Sequence, residues 1–222
     1  MKREDVISVL TEDEDNGQGE IIELTDEYAS YYDYSDDSTK EFHFEEACTD
    51  DYVKSLIRLG EGVKRNGLTE QFIVDMLKRA FDDDYYDAIC TMTGLIVPSN
   101  EEEFRHMLKD VIRTGDDVDE WYEWCENEHC VGRMLHQHQI VLINEDAIRK
   151  MAKELAYDKW NEKREYDIGI LVTILHEIRH LMLDTNPFLP EEEFTEEMRT
   201  EESVEAFARE RYETLGDLKF WR

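Results

Sequence analysis

The chain has 222 residues, 41% of them hydrophobic, which suits one domain of moderate size or a small domain with an attached subdomain. Its 56 Asp and Glu against 25 Lys and Arg leave a formal net charge of −31, which sets it against nucleic-acid backbones and anionic membranes as partners because both would be repelled. No apolar stretch follows Met1-Lys2-Arg3-Glu4-Asp5 as in a signal peptide, and the longest apolar run is too short and too charged to span a bilayer. A cytoplasmic protein is therefore expected, with Cys48, Cys90, Cys125 and Cys130 as reduced thiols.

Residues 1–48 read as an acidic N-terminal segment; the first 51 residues carry 18 Asp or Glu against Lys2, Arg3 and Lys40. Two β-prone runs, Val6 to Leu10 and Glu20 to Leu24, flank the turn signal Asn16-Gly17 and predict an antiparallel hairpin. Tyr28 to Glu46 mixes Tyr, Asp, Ser and Glu and reads as an irregular surface segment. Residues 49–130 then show the helical period. Thr49 is placed to cap a helix reaching Asn66-Gly67, with Tyr52, Val53, Leu56, Ile57 and Val63 on one side. Thr69 caps the next, with Phe72, Ile73, Met76, Leu77, Ala80 and Phe81 as its apolar stripe. A shorter helix is expected from Tyr85 to Thr93, and another from Glu101 to Arg113, with Ser99 and Glu102 as its capping box and Gly115 at its end. A fifth spans Asp117 to Asn127.

The third region, residues 131–222, opens with two β-prone runs, Val131 to Leu135 and Gln139 to Ile143, joined at His136 to His138. A charged helix follows from Asp146 to about Lys163, and Asp167 stands as the cap of the next. Asn186, Pro187 and Pro190 mark a loop, after which a last helix runs from Glu191 or Thr195 to Leu215 and stops at Gly216.

The chemistry concentrates in Ile168 to Leu183, IGILVTILHEIRHLML, the most apolar helix expected in the chain. Its polar residues Thr173, His176, Glu177 and His180 fall at i, i+3, i+4 and i+7, one stripe on one face. Two imidazoles one turn apart reach a single metal ion, and the carboxylate between them lies beside the same spot. His176-Glu177-Ile178-Arg179-His180 thus predicts one zinc ion held by His176 and His180, with Glu177 as general base for a metal-activated water. No His follows His180, so a third ligand has to be Asp or Glu. The final helix has its apolar face near Ala208 and Leu215. Glu201 lies roughly 50° from that centre, Glu205 roughly 90°, and Glu202 nearly opposite. Glu201 is the first choice as third ligand and Glu205 the second, the other then hydrogen-bonding a ligating His; Asp184 is a further alternative.

HEIRH followed some twenty residues on by EESVEAFA resembles the gluzincin metallopeptidases, and within them the small ImmA/IrrE-like group, whose pattern is HExxH and then E-x-x-A-N-x-F-A. On that resemblance the family's ligand glutamate falls on Glu201 and its Asn or Asp on Glu205, while Phe207 and Ala208 match the terminal pair. Val204 and Glu205 depart from the pattern, and the resemblance covers Val131 to Leu215 only. It implies a zincin-like (minigluzincin) domain with a small sheet, one zinc ion, peptide-bond hydrolysis, and the strand Ile140 to Asn144 along a substrate cleft.

The fold class expected is therefore α+β and predominantly helical, a zincin-like C-terminal domain preceded by an acidic helical region. Its partner would be a peptide or protein substrate, with no nucleic acid and no membrane; oligomeric state is left open. The competing reading is a zinc-binding but catalytically silent regulatory protein that uses its acidic N-terminal half for interaction. Cys125, His129, Cys130, His136 and His138 cluster in sequence without a strong zinc spacing, and Tyr157, Tyr166, Arg179 and Tyr212 are candidate oxyanion donors.

Overall fold

Residues 2–35, 37–109, 111, 130–185 and 198–219 are described in a computed structural model of the chain, which has an α+β architecture. Val6 and Leu10, one helical turn apart, are fully buried on an amphipathic helix α1 (Arg3–Asp15). The strand expected over Val6 to Leu10 is thus a helix: burying two residues on one face outweighs the β preference of Val6, Ile7 and Val9. Asn16 and Gly17, the latter at φ 70°, end this helix rather than turn a hairpin. The strands are instead β1 (Gly19–Leu24), β2 (Tyr28–Asp33) and β3 (Ser38–His43), an antiparallel meander in that order. The irregular segment expected over Tyr28 to Glu46 therefore holds two strands. Their pattern is masked because both faces are covered: Ala29, Tyr31 and Phe42 pack under Val6 and Leu10, while Glu41 and His43 turn toward the rest of the protein.

A second sheet has the order β4 (Ile57–Leu59), β5 (Gly94–Val97), β7 (Ile140–Ile143), β6 (Gly132–Leu135). The first three strands are parallel, and β6 runs antiparallel along one edge. β5 and β7 are buried at every position, as strands covered on both faces must be. The helix expected from Thr49 to Asn66 is split by β4. Thr49 does cap α2 (Asp50–Leu56), but Ile57 turns extended to pair with Leu95, and only after Gly60 does α3 (Glu61–Arg65) begin. The sheet thus takes strands from both sides of residue 130.

Helix α4 (Glu70–Phe81) forms as expected, its first turn held by the Thr69 hydroxyl accepting from the Phe72 N–H. α5 (Tyr85–Ile89) and α6 (Glu101–Lys109) follow. The capping box of α6 sits one residue later than expected: Asn100 accepts from the Glu103 N–H and Glu103 from the Ser99 N–H, while the Ser99 hydroxyl receives the Gly62 N–H. Asn144 caps α7 (Glu145–Leu155). α8 (Lys159–Thr185) is a single helix of 27 residues. Asp158 accepts the Asn161 N–H at its start, so Asp167 is not a cap; it lies mid-helix, paired with Lys163 at 3.2 Å. Thr200 caps α9 (Glu201–Thr214). Core residues from Cys48 to Leu215 form one cluster, with α8 against the sheet, α5, α7 and α9. Among the described residues no helix is long and apolar enough to cross a membrane. The expected helix Asp117 to Asn127, Gly115, Cys125, His129, the loop at Asn186, Pro187 and Pro190, and a helix start at Glu191 or Thr195 lie outside the described residues.

Candidate metal centre

The apolar positions of α8 face in almost every direction, because sheet and helices surround it; Ile170, Leu171, Ile174, Leu175, Ile178 and Leu181 are fully buried. The stripe left over carries Thr173, His176, Glu177 and His180. His176 and His180 sit one turn apart with ring centroids 4.8 Å apart, and their Nε2 atoms approach to 3.1 Å. α9 crosses beside them. Val204 and Ala208 are the buried residues of that helix, so its first turn is turned toward α8 and brings Glu201 over the histidines. Glu201 Oε2 is 3.2 Å from His176 Nε2, and Oε1 is 3.3 Å from His180 Nε2. Ligand atoms of these three residues all lie within 4.8 Å of one another. Glu205, one turn further on, reaches the other ring nitrogen of His176 at 3.4 Å and also pairs with Arg209 at 2.6 Å. A carboxylate on Nδ1 orients the ring and leaves Nε2 as the atom that faces its neighbours. Glu202 is exposed, and Asp184 turns away to His136 at 3.8 Å.

Glu177 is buried between α8 and β6. Burial first, then the negative charge of Glu201, pushes its carboxyl up to about 8, while the Met134 N–H and the Arg133 charge oppose that rise. β6 approaches so closely that a Cβ on Gly132 would stand 2.5 Å from Thr173 Cγ2 and 2.6 Å from Glu177 Oε1. The spacing of HEIRH does not reveal this contact; the one hint in the sequence is a glycine inside the β-prone run Val131 to Leu135. The strand expected to line the cleft, Ile140 to Asn144, lies instead inside the sheet as β7, and β6 is the strand beside Glu177. Cys130 also borders the site. Its thiol donates to the Gly132 carbonyl and is pushed up to about 11, chiefly by burial.

The oxyanion candidates separate. Tyr166 donates to Glu145 at 2.9 Å, and Tyr157 stands exposed in the connection between α7 and α8. Arg179 stacks its guanidinium on Phe207, 4.6 Å from the ring centroid, with Arg211 at 5.1 Å from the same ring. Phe207 is thus a fastener between α9 and α8. Arg133 is the cation whose charge acts on Glu177.

The donor set, two imidazoles and one carboxylate, suits a borderline divalent ion; the Glu201 side chain is 81% exposed. Zinc holds N and O donors at about 2.0–2.1 Å, so tetrahedral donors stand about 3.3 Å apart. Here the two Nε2 atoms stand 3.1 Å apart, and the two Glu201 oxygens divide between them, Oε2 at 3.2 Å from His176 and Oε1 at 3.3 Å from His180. Comparison with known proteins adds no relative: no protein-family model, no curated protein and no solved structure matches the chain.

Proposed function

We propose that the protein is a zinc-dependent metallopeptidase of the gluzincin type with a zincin-like fold, in which His176, His180 and Glu201 hold one zinc ion and Glu177 is the general base. The observation that carries this reading is the gathering of two imidazoles and a carboxylate at one spot: the Nε2 atoms of His176 and His180 stand 3.1 Å apart, and a Glu201 oxygen lies within 3.3 Å of each, a donor set that suits a zinc ion. A bound zinc ion would supply Lewis acidity and acidify water near it. Glu177 then accepts a proton from the attacking water and delivers it to the leaving amide nitrogen, and β6 shields it from bulk solvent. Glu205 holds the His176 ring in the tautomer whose Nε2 faces Glu201 and His180. As an edge strand, β6 also offers an extended peptide the outer backbone groups that Glu177 and Cys130 do not already engage.

The experiment is a peptide-library cleavage assay on the full chain and on Glu177→Gln, with zinc measured in both. Equal zinc content with cleavage lowered on the order of 10²–10⁴-fold in the variant is expected. Zinc bound without cleavage by the wild type would leave the silent metal-binding reading. Equal cleavage by both proteins would remove Glu177 from the mechanism.

A further inference from the structure

The N-terminal sheet is held on one side only. β3 is bonded to the body of the protein through Gln139 and through the Cys90 carbonyl. β1 is the opposite edge. It pairs with β2, and among the described residues no backbone hydrogen bond reaches Glu20 to Leu24 from its outer side. Two large aliphatic side chains stand exposed on this edge, Ile22 at 52% and Leu24 at 45%. Glu20 and Glu23, opposite Tyr32 and Ser30 in the pairing with β2, are exposed as well, and the acidic end of α1 (Glu12, Asp13, Glu14, Asp15) leads into the strand through a three-residue turn.

A free edge with this composition selects among occupants. A second copy of the chain would bring glutamates against glutamates. Nucleic acid and anionic lipid meet the same repulsion. A strand carrying Lys or Arg finds complementary charge beside it, and the net charge of −31 steers it in from a distance.

We infer that the outer edge of β1 is a docking site for a basic, extended segment of a partner protein, which adds as a strand beside Glu20 to Leu24, its cationic side chains on Glu20 and Glu23 and its apolar ones against Ile22 and Leu24. Main-chain hydrogen bonds hold the segment, and the side chains select it. The site is independent of the metal centre and stands whether or not peptide hydrolysis is established.

The probe is a synthetic peptide of alternating Lys and Val, with an Ala-Lys helical peptide of equal charge and a Glu-Val peptide as controls. Binding to the full chain is read by fluorescence anisotropy, and the contact by hydrogen exchange of the β1 amides. The Lys-Val peptide should bind, protect the amides of Glu20 to Leu24 and weaken as salt rises. It should bind about tenfold more weakly to Glu20→Gln/Glu23→Gln and to Ile22→Thr/Leu24→Thr. All four positions are exposed or at a free edge, so both variants should keep the wild-type melting temperature. Absence of Lys-Val binding at low salt overturns the inference. So does equal binding of the helical peptide, which would mark a diffuse acidic surface, or equal binding by the variants. Self-association of the wild type with protection of the same amides would assign the edge to a second copy and also overturn it.

Discussion

His176 and His180 point their Nε2 atoms at each other across 3.1 Å, with one carboxylate of Glu201 touching both. Without an ion, such a cluster satisfies at most one imidazole proton between the rings and leans on Glu201 for the rest. With an ion, every donor has the same partner. Stoichiometric zinc is therefore expected in the wild type and its loss in His176→Ala and His180→Ala. Glu201→Gln should weaken binding strongly, and Glu205→Gln, which only loosens the His176 ring, by about 10–100-fold. Competition with a chromophoric chelator measures all four. Unchanged zinc affinity in His180→Ala would disprove the site.

Gly132 decides how close β6 comes to Glu177. A Cβ there would stand 2.5 Å from Thr173 Cγ2 and 2.8 Å from Glu177 Cγ, both on a helix packed on several sides. Gly132→Ala must push β6 off α8 or force Glu177 from its place. A loss of about 1–3 kcal/mol is expected from chemical denaturation. Any peptide cleavage should fall by more than the folded fraction does, because the strand and the base move together. Gly94→Ala is the control: its Cβ meets nothing nearer than 3.6 Å.

How much of this was readable from residues alone depends on where the information sits. The stripe Thr173, His176, Glu177, His180 needs only the 3.6-residue period, and the placing of Glu201 beside it follows from the apolar face that Val204 and Ala208 turn to α8. Thr69 and its helix were equally plain, since cap and stripe agree. The edge role of β6 was hidden, because strand order is set by pairing with Leu95 and Ile57, distant in sequence. β4 has three residues and continues a helical stripe, so nothing local separates Ile57 from Leu56. β2 and β3 were hidden by their composition, Tyr and Ser buried on two faces at once.

Glu177 links the site to the pH dependence of folding. Its carboxyl is pushed up to about 8 from the ordinary 4.5, first by burial and then by Glu201. The folded metal-free protein therefore holds a proton that the unfolded chain has released, and stability contributed by this group is lost as pH rises from about 4.5 through about 8. Glu177→Gln keeps an oxygen for the Met134 N–H and cannot ionise. In chelator-treated protein it should match the wild type near the lower limit of that window. Above the upper limit it should be more stable by an amount on the order of 3–5 kcal/mol at most. Thermal melts at the two pH values measure this. A constant difference at both would mean that ionisation of Glu177 is not its source. Zinc should shrink the gap, because a cation beside the carboxylate favours its charged form.

Gln139 ties the N-terminal sheet to the body. Its amide oxygen accepts the Glu41 N–H at 2.7 Å and its amide nitrogen donates to the Glu41 carbonyl at 3.1 Å, both buried, so one side chain pairs with β3 as a neighbouring strand would. The residue itself stands at φ 53°, in the left-handed region, at the end of the short turn between β6 and β7. Two effects are combined there, and two substitutions separate them. Gln139→Gly relieves the backbone and removes the amide; Gln139→Ala removes the amide and keeps the strain. Each removes the Gln139 bonds to the buried N–H and C=O of Glu41, at about 1–3 kcal/mol for each group. Both variants should therefore open the N-terminal sheet, seen as faster hydrogen exchange in β3 and earlier proteolytic cleavage between β3 and α2, with Gln139→Gly the less destabilised overall. Zinc binding should persist in both, since His176, His180 and Glu201 are fixed by α8 and α9 and not by β3. Loss of zinc on opening that joint would instead mean that the acidic N-terminal sheet supports the metal centre.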